Sequence, residues 1–312
     1  MNRFFFIITS VLIAFSGKML TSCTEPIDLR NDGMEPMLVI TCVLTDSISV
    51  YPWTGFVSEN EVTIAKTTPF FGEMFREPVS GAKVWINSDS LTMTSPGIYS
   101  FKEHFLAIPG KTYTLEVHYD MNRDGVYEIY TATTTMPQKH HLDSITIVRY
   151  PITFGRGFEG TMFLHFKSPY GKNYYGAKFN NENDEYNRFY SSRILRYCVF
   201  RYDLFANDNE YQRLNADWFI RHNMPFDNEN TYHLFAGDTL SVELNVLSKE
   251  YHRFLEVAKI ELSQNNPMFS GPRSNVPTNI KGGGIGIFGA YSSSRATMKL
   301  PLDTPGLPMR PR

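Results

Sequence analysis

Tyr113-Thr114-Leu115-Glu116-Val117-His118-Tyr119 and Tyr127-Glu128-Ile129-Tyr130-Thr131-Ala132-Thr133 are two runs rich in β-branched and aromatic residues, separated by a stretch that contains Asp124-Gly125. Such runs read as strands, and Asp-Gly between them reads as the turn of a hairpin. The same signals recur towards the N-terminus, at residues 37–44, 62–64, 83–87, 91–94 and 98–101, with Pro96-Gly97 and Pro109-Gly110 as further breaks. Short strands at this spacing predict an antiparallel β-sandwich over residues 35–137. No amphipathic helix is evident before about residue 137.

Towards the C-terminus, Met136-Pro137-Gln138-Lys139-His140-His141 has the composition of a linker and marks a domain boundary. A second β-rich domain is expected over residues 138–300, with strands at 142–148, 161–166, 174–179, 193–202 and 239–246. The last of these alternates strictly enough to assign one buried face. One helix is expected near residues 248–264: Ser248 can cap it, and Tyr251, Phe254, Leu255, Ala258 and Leu262 form one apolar stripe. Asn265-Asn266-Pro267 ends it, and residues 301–312 form a Pro-rich tail. The fold class is therefore mainly β, a sandwich followed by a second β-rich domain with one amphipathic helix.

The N-terminus reads as an address. Met1-Asn2-Arg3 precedes an apolar run from Phe4 to Gly17, too short for a spanning helix and of the length of an export signal. Leu20-Thr21-Ser22-Cys23 resembles the bacterial lipobox, in which the cysteine sulfur is diacylated before signal peptidase II cuts. Residues 1–22 are thus expected to be a lipoprotein signal peptide, Cys23 the lipid attachment site, and residues 23–34 a polar tether. The mature body would be water-soluble and held to a membrane by its acyl chains.

Composition narrows the function classes. The 312 residues carry 30 basic and 32 acidic side chains and 45 aromatics, 24 Phe, 18 Tyr and 3 Trp. Aromatics in this number supply the burial that a folded body needs. A near-neutral charge balance argues against a nucleic-acid partner. Three cysteines exclude a disulfide-rich scaffold and a zinc site built on cysteines. With Cys23 acylated, Cys42 and Cys198 remain, each in an apolar strand of a different expected domain, and two free thiols are the preferred reading.

Candidate chemistry is sparse. Gly284-Ile285-Gly286-Ile287-Phe288-Gly289 matches G-x-G-x-x-G, but Tyr291-Ser292-Ser293-Ser294-Arg295 behind it is no helix, so it reads as a glycine-rich turn leading into a late strand. Asp120, Asn122, Asp124 and Glu128 space their oxygens like the first half of a calcium loop, although Thr131 stands where the bidentate Glu belongs. Calcium binding and a plain hairpin both remain open there. The eight histidines show no ligand spacing, and no nucleophile elbow or protease signature occurs, so an enzyme is not expected. Residues 180–230 are rich in Asn, Asp, Tyr, Phe and Arg. There Tyr186, Arg188, Phe189, Tyr190 and Tyr211 are candidate partner-binding anchors, with a loop-rich insertion as the alternative.

Gly81-Ala82-Lys83-Val84-Trp85-Ile86, Gly97-Ile98-Tyr99-Ser100-Phe101 and Gly110-Lys111-Thr112-Tyr113-Thr114-Leu115 resemble an Ig/transthyretin-like or carboxypeptidase-regulatory-like β-sandwich. Further resemblance lies in Asn266-Pro267-Met268-Phe269-Ser270-Gly271-Pro272, Asn275-Val276-Pro277-Thr278-Asn279-Ile280 and Gly283 to Tyr291, with the lipobox and Thr134-Thr135-Met136-Pro137. Together these resemble the Bacteroidota lipoprotein family called domain of unknown function 4249 over nearly the whole mature chain. The resemblance implies an outer-membrane lipoprotein encoded beside TonB-dependent transporters, and it implies no reaction. The expected function is a lipid-anchored binding or accessory subunit of such a β-barrel transporter, with a structural or assembly role in an envelope complex as the alternative.

Overall fold

A computed structural model describes residues 35–47, 60–68, 77–151, 158–169, 171–181, 198–204, 212–216, 236–263 and 276–302. The chain divides into two compact units, residues 1–35 with 69–72 and residues 36–68 with 73–312; of the first, Glu35 alone is described. The elements below belong to the second.

Its first eight strands follow the hairpin logic of the sequence. They are β1 (Leu38–Thr45), β2 (Glu61–Lys66), β3 (Glu77–Pro78), β4 (Lys83–Ile86), β5 (Asp89–Ser95), β6 (Ile98–Ser100), β7 (Thr112–Tyr119) and β8 (Glu128–Thr135). There follow β9 (Leu142–Pro151), β10 (Phe158–Phe166), β11 (Gly171–Asn181), β12 (Cys198–Leu204), β13 (Gln212–Ala216), β14 (Thr239–Leu247), the helix α1 (Lys249–Ser263) and β15 (Ile285–Lys299). The protein is mainly β, as expected. Among the described residues no helix is long and apolar enough to cross a membrane.

Twelve strands form one large sheet in the order β12-β11-β14-β15-β1-β2-β6-β5-β4-β7-β8, with β3 beside β2, while β13-β10-β9 form a smaller one. β1 and β15 pair in parallel, Ile40 opposite Gly286, whereas β15 and β14 pair antiparallel. β15 therefore joins the first strand of the body to the late strands.

The far end of the path returns to β15. Thr131 of β8 and Lys281, just ahead of β15, exchange both backbone hydrogen bonds, at 3.2 and 2.8 Å. Strands remote from one another along the path accordingly bury side chains in one core: Ile40 and Leu44 of β1, Ile64 of β2, Ile86 of β4, Tyr99 of β6, Leu115 and Val117 of β7 and Phe288 of β15. Side chains of this size each contribute about 1.5–3 kcal/mol when fully buried. Cys42 belongs to this core as a free thiol, and burial pushes its pKa far up, with Glu61 adding to the shift. It is a small hydrophobe here, as the sequence reading preferred. The side chain of Cys198 lies outside the described residues.

A second core gathers Leu142 and Ile145 of β9, Leu164 and Phe166 of β10, Tyr175 and Ala177 of β11, and Leu240, Val242, Leu244 and Val246 of β14. The single buried face expected for β14 is only half of what is found. Its opposite face is largely buried too, at Ser241, Asn245 and Leu247, and α1 sets Leu255 against Leu247 at the end of the strand, with Val43 and Tyr291. Ser248 opens the helix with its carbonyl, which accepts from His252 N–H at 2.9 Å. Its hydroxyl, expected to cap the helix, instead accepts from Ala290 N–H at 3.3 Å and fastens the helix start to β15.

Packing also explains the glycine pattern. Gly286 has φ +121° and lies against the Ile40 carbonyl, so a Cβ there would run into that oxygen. At Gly289 a Cβ would stand 2.7 Å from Tyr251 Cβ of α1. Both lie inside β15 rather than in the turn before it, and they allow neighbouring chains to approach closely.

Candidate functional site

β1 ends at Thr45, opposite Tyr291, while β15 continues beside β14 to Lys299. Where β1 stops, Asp46 takes over its neighbour role. Its Oδ1 accepts Ser293 N–H at 2.8 Å, and its Oδ2 accepts from Lys139 Nζ at 3.1 Å. The Asp46 side chain is 9% exposed and that of Lys139 49% exposed. A half-exposed ion pair contributes about 0–1 kcal/mol. A charge-assisted bond from a backbone amide contributes roughly 1.5–3 kcal/mol, so the amide bond is what fixes Asp46.

The segment that precedes β9 runs past the same stretch of β15. Ser292 Oγ donates to the Gln138 carbonyl at 3.1 Å, and Leu142 N–H donates to Ser294 Oγ at 2.8 Å. Ser294 Oγ also lies 3.4 Å from His141 Nδ1. Between these groups opens a cleft of about 550 Å³, lined by Ser47, Lys139, His141, Glu243, Ser293, Ser294 and Arg295. That volume is in the range of small-ligand sites. Arg295 sits opposite Glu243 in the β14–β15 register and donates from Nη2 to Ser241 Oγ at 3.3 Å.

One residue away from the cleft, His140 turns inward. Its Nδ1 lies 2.8 Å from Tyr175 Oη, which is 2.5 Å from Ser168 Oγ, and all three residues are buried. Burial holds the His140 imidazole below its usual pKa range. This chain of hydrogen bonds pins the segment to the second core, which leaves the next residue, His141, exposed at the cleft.

The four candidate calcium ligands lie in the β7–β8 loop and at the start of β8, and the loop's own donors engage all three carboxylates among them. Asp120 accepts from Asp124 N–H at 3.1 Å and Gly125 N–H at 2.9 Å, and Asp124 accepts from Val126 N–H at 2.8 Å. Glu128 accepts from Met121 N–H at 2.8 Å and from the Asn122 amide at 3.1 Å. Among the described residues no three His, Cys, Asp or Glu side chains are grouped to hold a metal ion. Millimolar calcium is expected to leave the thermal midpoint unchanged, and Asp120→Ala to lower stability by about 1 kcal/mol through the lost amide bonds. A calcium-dependent rise in midpoint that Asp120→Ala abolishes would make the loop a calcium site instead.

Cys23, Tyr186, Arg188, Phe189, Tyr190 and Tyr211 lie outside the described residues. Sequence reading did not single out Asp46, Lys139, Glu243 or Arg295. The available signal was Ser292-Ser293-Ser294-Arg295, a polar run in what becomes a strand buried through Ser294.

Comparison with known families gives one finding. The profile of the family described as Domain of unknown function (DUF4249) matches residues 24–297. No curated protein matches the chain.

Proposed function

The chain belongs to the DUF4249 family, and from that premise we propose that it is a lipid-anchored outer-membrane binding or accessory subunit that docks on a TonB-dependent transporter. The anchor is Cys23 in Leu20-Thr21-Ser22-Cys23, and the family match starts directly behind it, at residue 24. Energy transduction is left to the barrel.

The observation that supports a binding role is the state of the polar groups in and beside the cleft. The Asp46 carboxylate is engaged by Ser293 N–H and Lys139, and the Ser294 hydroxyl accepts from Leu142 N–H. Such groups are suited to hold a ligand in place.

Docking on a barrel calls for an interface on the order of 2,000 Å² or more, with aromatic and Arg side chains at its centre. Tyr186, Arg188, Phe189, Tyr190 and Tyr211 are the candidates for it. Replacing them together by Ala is expected to reduce recovery of the barrel through a C-terminal tag at least tenfold, with the melting temperature unchanged. Full recovery, or a melted body, contradicts docking at that surface.

A further inference from the structure

We infer that the cleft between residues 136–141 and β15 is a binding site for a small ligand carrying an oxyanion, a carboxylate or a phosphate, which Arg295 and Lys139 grip together. This rests on the reading of the protein as a binding subunit and names the chemistry of what it holds.

The lining is rich in donors. Ser47, Ser293 and Ser294 carry hydroxyls, Lys139 and Arg295 carry fixed positive charges, His141 adds a ring nitrogen, and Glu243 is the one carboxylate among the described lining residues. The nearby Asp46 carboxylate is nearly buried and is engaged by Ser293 N–H and Lys139. A surface that offers several donors and one anionic acceptor complements a group made of acceptor oxygens. The Lys139 ammonium is half exposed and gives one bond to Asp46, so it can turn a further N–H towards a ligand without leaving its partner. Arg295 is exposed at the rim and steadied through Ser241 Oγ, and a guanidinium is the side chain that matches carboxylate and phosphate oxygens in pairs. Glu243, opposite Arg295 in register, then serves as acceptor for a hydroxyl or amine elsewhere on the same ligand. Positioning comes from the ends of the fold. Asp46 reaches Ser293 from 247 positions away in sequence, and Lys139 reaches Asp46 from 93. The site therefore exists only once β1, the 136–141 segment and β15 have assembled.

The test uses the full acylated protein in detergent, titrated with inorganic phosphate and, separately, with glucuronate while binding heat is recorded. Saturable binding of at least one is expected; phosphate alone identifies a phosphate-bearing ligand, and glucuronate alone a carboxylate. Arg295→Ala should weaken that binding at least tenfold and Arg295→Lys less. Lys139→Ala should also weaken it while leaving the melting temperature near that of the wild type. Lys172→Ala, which removes a charge outside the cleft, should bind as the wild type does. Absence of binding to both anions, or equal affinity in Arg295→Ala, overturns the assignment, and so does an equal loss in Lys172→Ala. Anion binding that persists in a protein that brings down no barrel counts against docking alone. Barrel recovery without anion binding counts against this site alone.

Discussion

Gly286→Ala is expected to destabilise the body by about 3 kcal/mol or more, a large fraction of the roughly 5–15 kcal/mol by which folded proteins are ordinarily stable. Two independent costs act at this position. The backbone has φ +121°, a region that L side chains rarely adopt, and forcing a residue to stay there costs on the order of 1–3 kcal/mol. The new Cβ would also run into the Ile40 carbonyl oxygen across the parallel β1–β15 pair. A backbone oxygen held in a ladder has no rotamer by which to move aside. Gly289→Ala should cost less, because Gly289 is not among the residues with positive φ and only one cost acts there: the root of the Tyr251 side chain, met at 2.7–3.0 Å, must give way. Urea unfolding of the two variants beside the wild type checks the order. A Gly286→Ala protein within about 1 kcal/mol of the wild type would show that β1 and β15 do not approach in this way.

The reason this position was hard to read in advance is physical. Strands β7 and β8 and the loop between them are local objects, fixed by alternating side chains and an Asp-Gly turn within about 25 residues. The helix was legible for the same reason, since its stripe of Tyr251, Phe254, Leu255 and Ala258 repeats at helical spacing. β15 carries Gly286, Gly289 and three consecutive serines, residues with little preference for strands, and takes its conformation from chains far away in sequence. Ser294 is buried because Leu142 N–H needs an acceptor, and Ser292 because it donates to the Gln138 carbonyl, 154 positions away. The cleft inherits that distance. Each of its side chains is ordinary alone, and nothing local marks Asp46, Lys139 and Ser293 as neighbours. The β7–β8 carboxylates show the converse: the spacing was plain in the sequence, and the structure turns their oxygens on the loop's own amides.

Cys23→Ala is expected to move nearly all of the protein from the membrane fraction to the soluble one. Acyl chains hold a protein by about 0.8 kcal/mol per buried methylene, and one chain alone gives only reversible binding, so the two or more chains of a lipoprotein decide the partition. The described part of the body offers no competing anchor in the form of a helix able to cross a membrane. Fractionation with mass measurement of the N-terminal peptide reads the result. A wild-type peptide without acyl mass, or an alanine variant that stays with the membrane, would contradict lipid anchoring.

The most direct test is native mass spectrometry of the protein drawn from membranes in mild detergent by a C-terminal tag. A chain that begins at an acylated Cys23, in stoichiometric complex with a β-barrel, is the predicted species. The lipoprotein alone at every detergent strength, or a chain that retains residues 1–22 without acyl groups, would contradict the account.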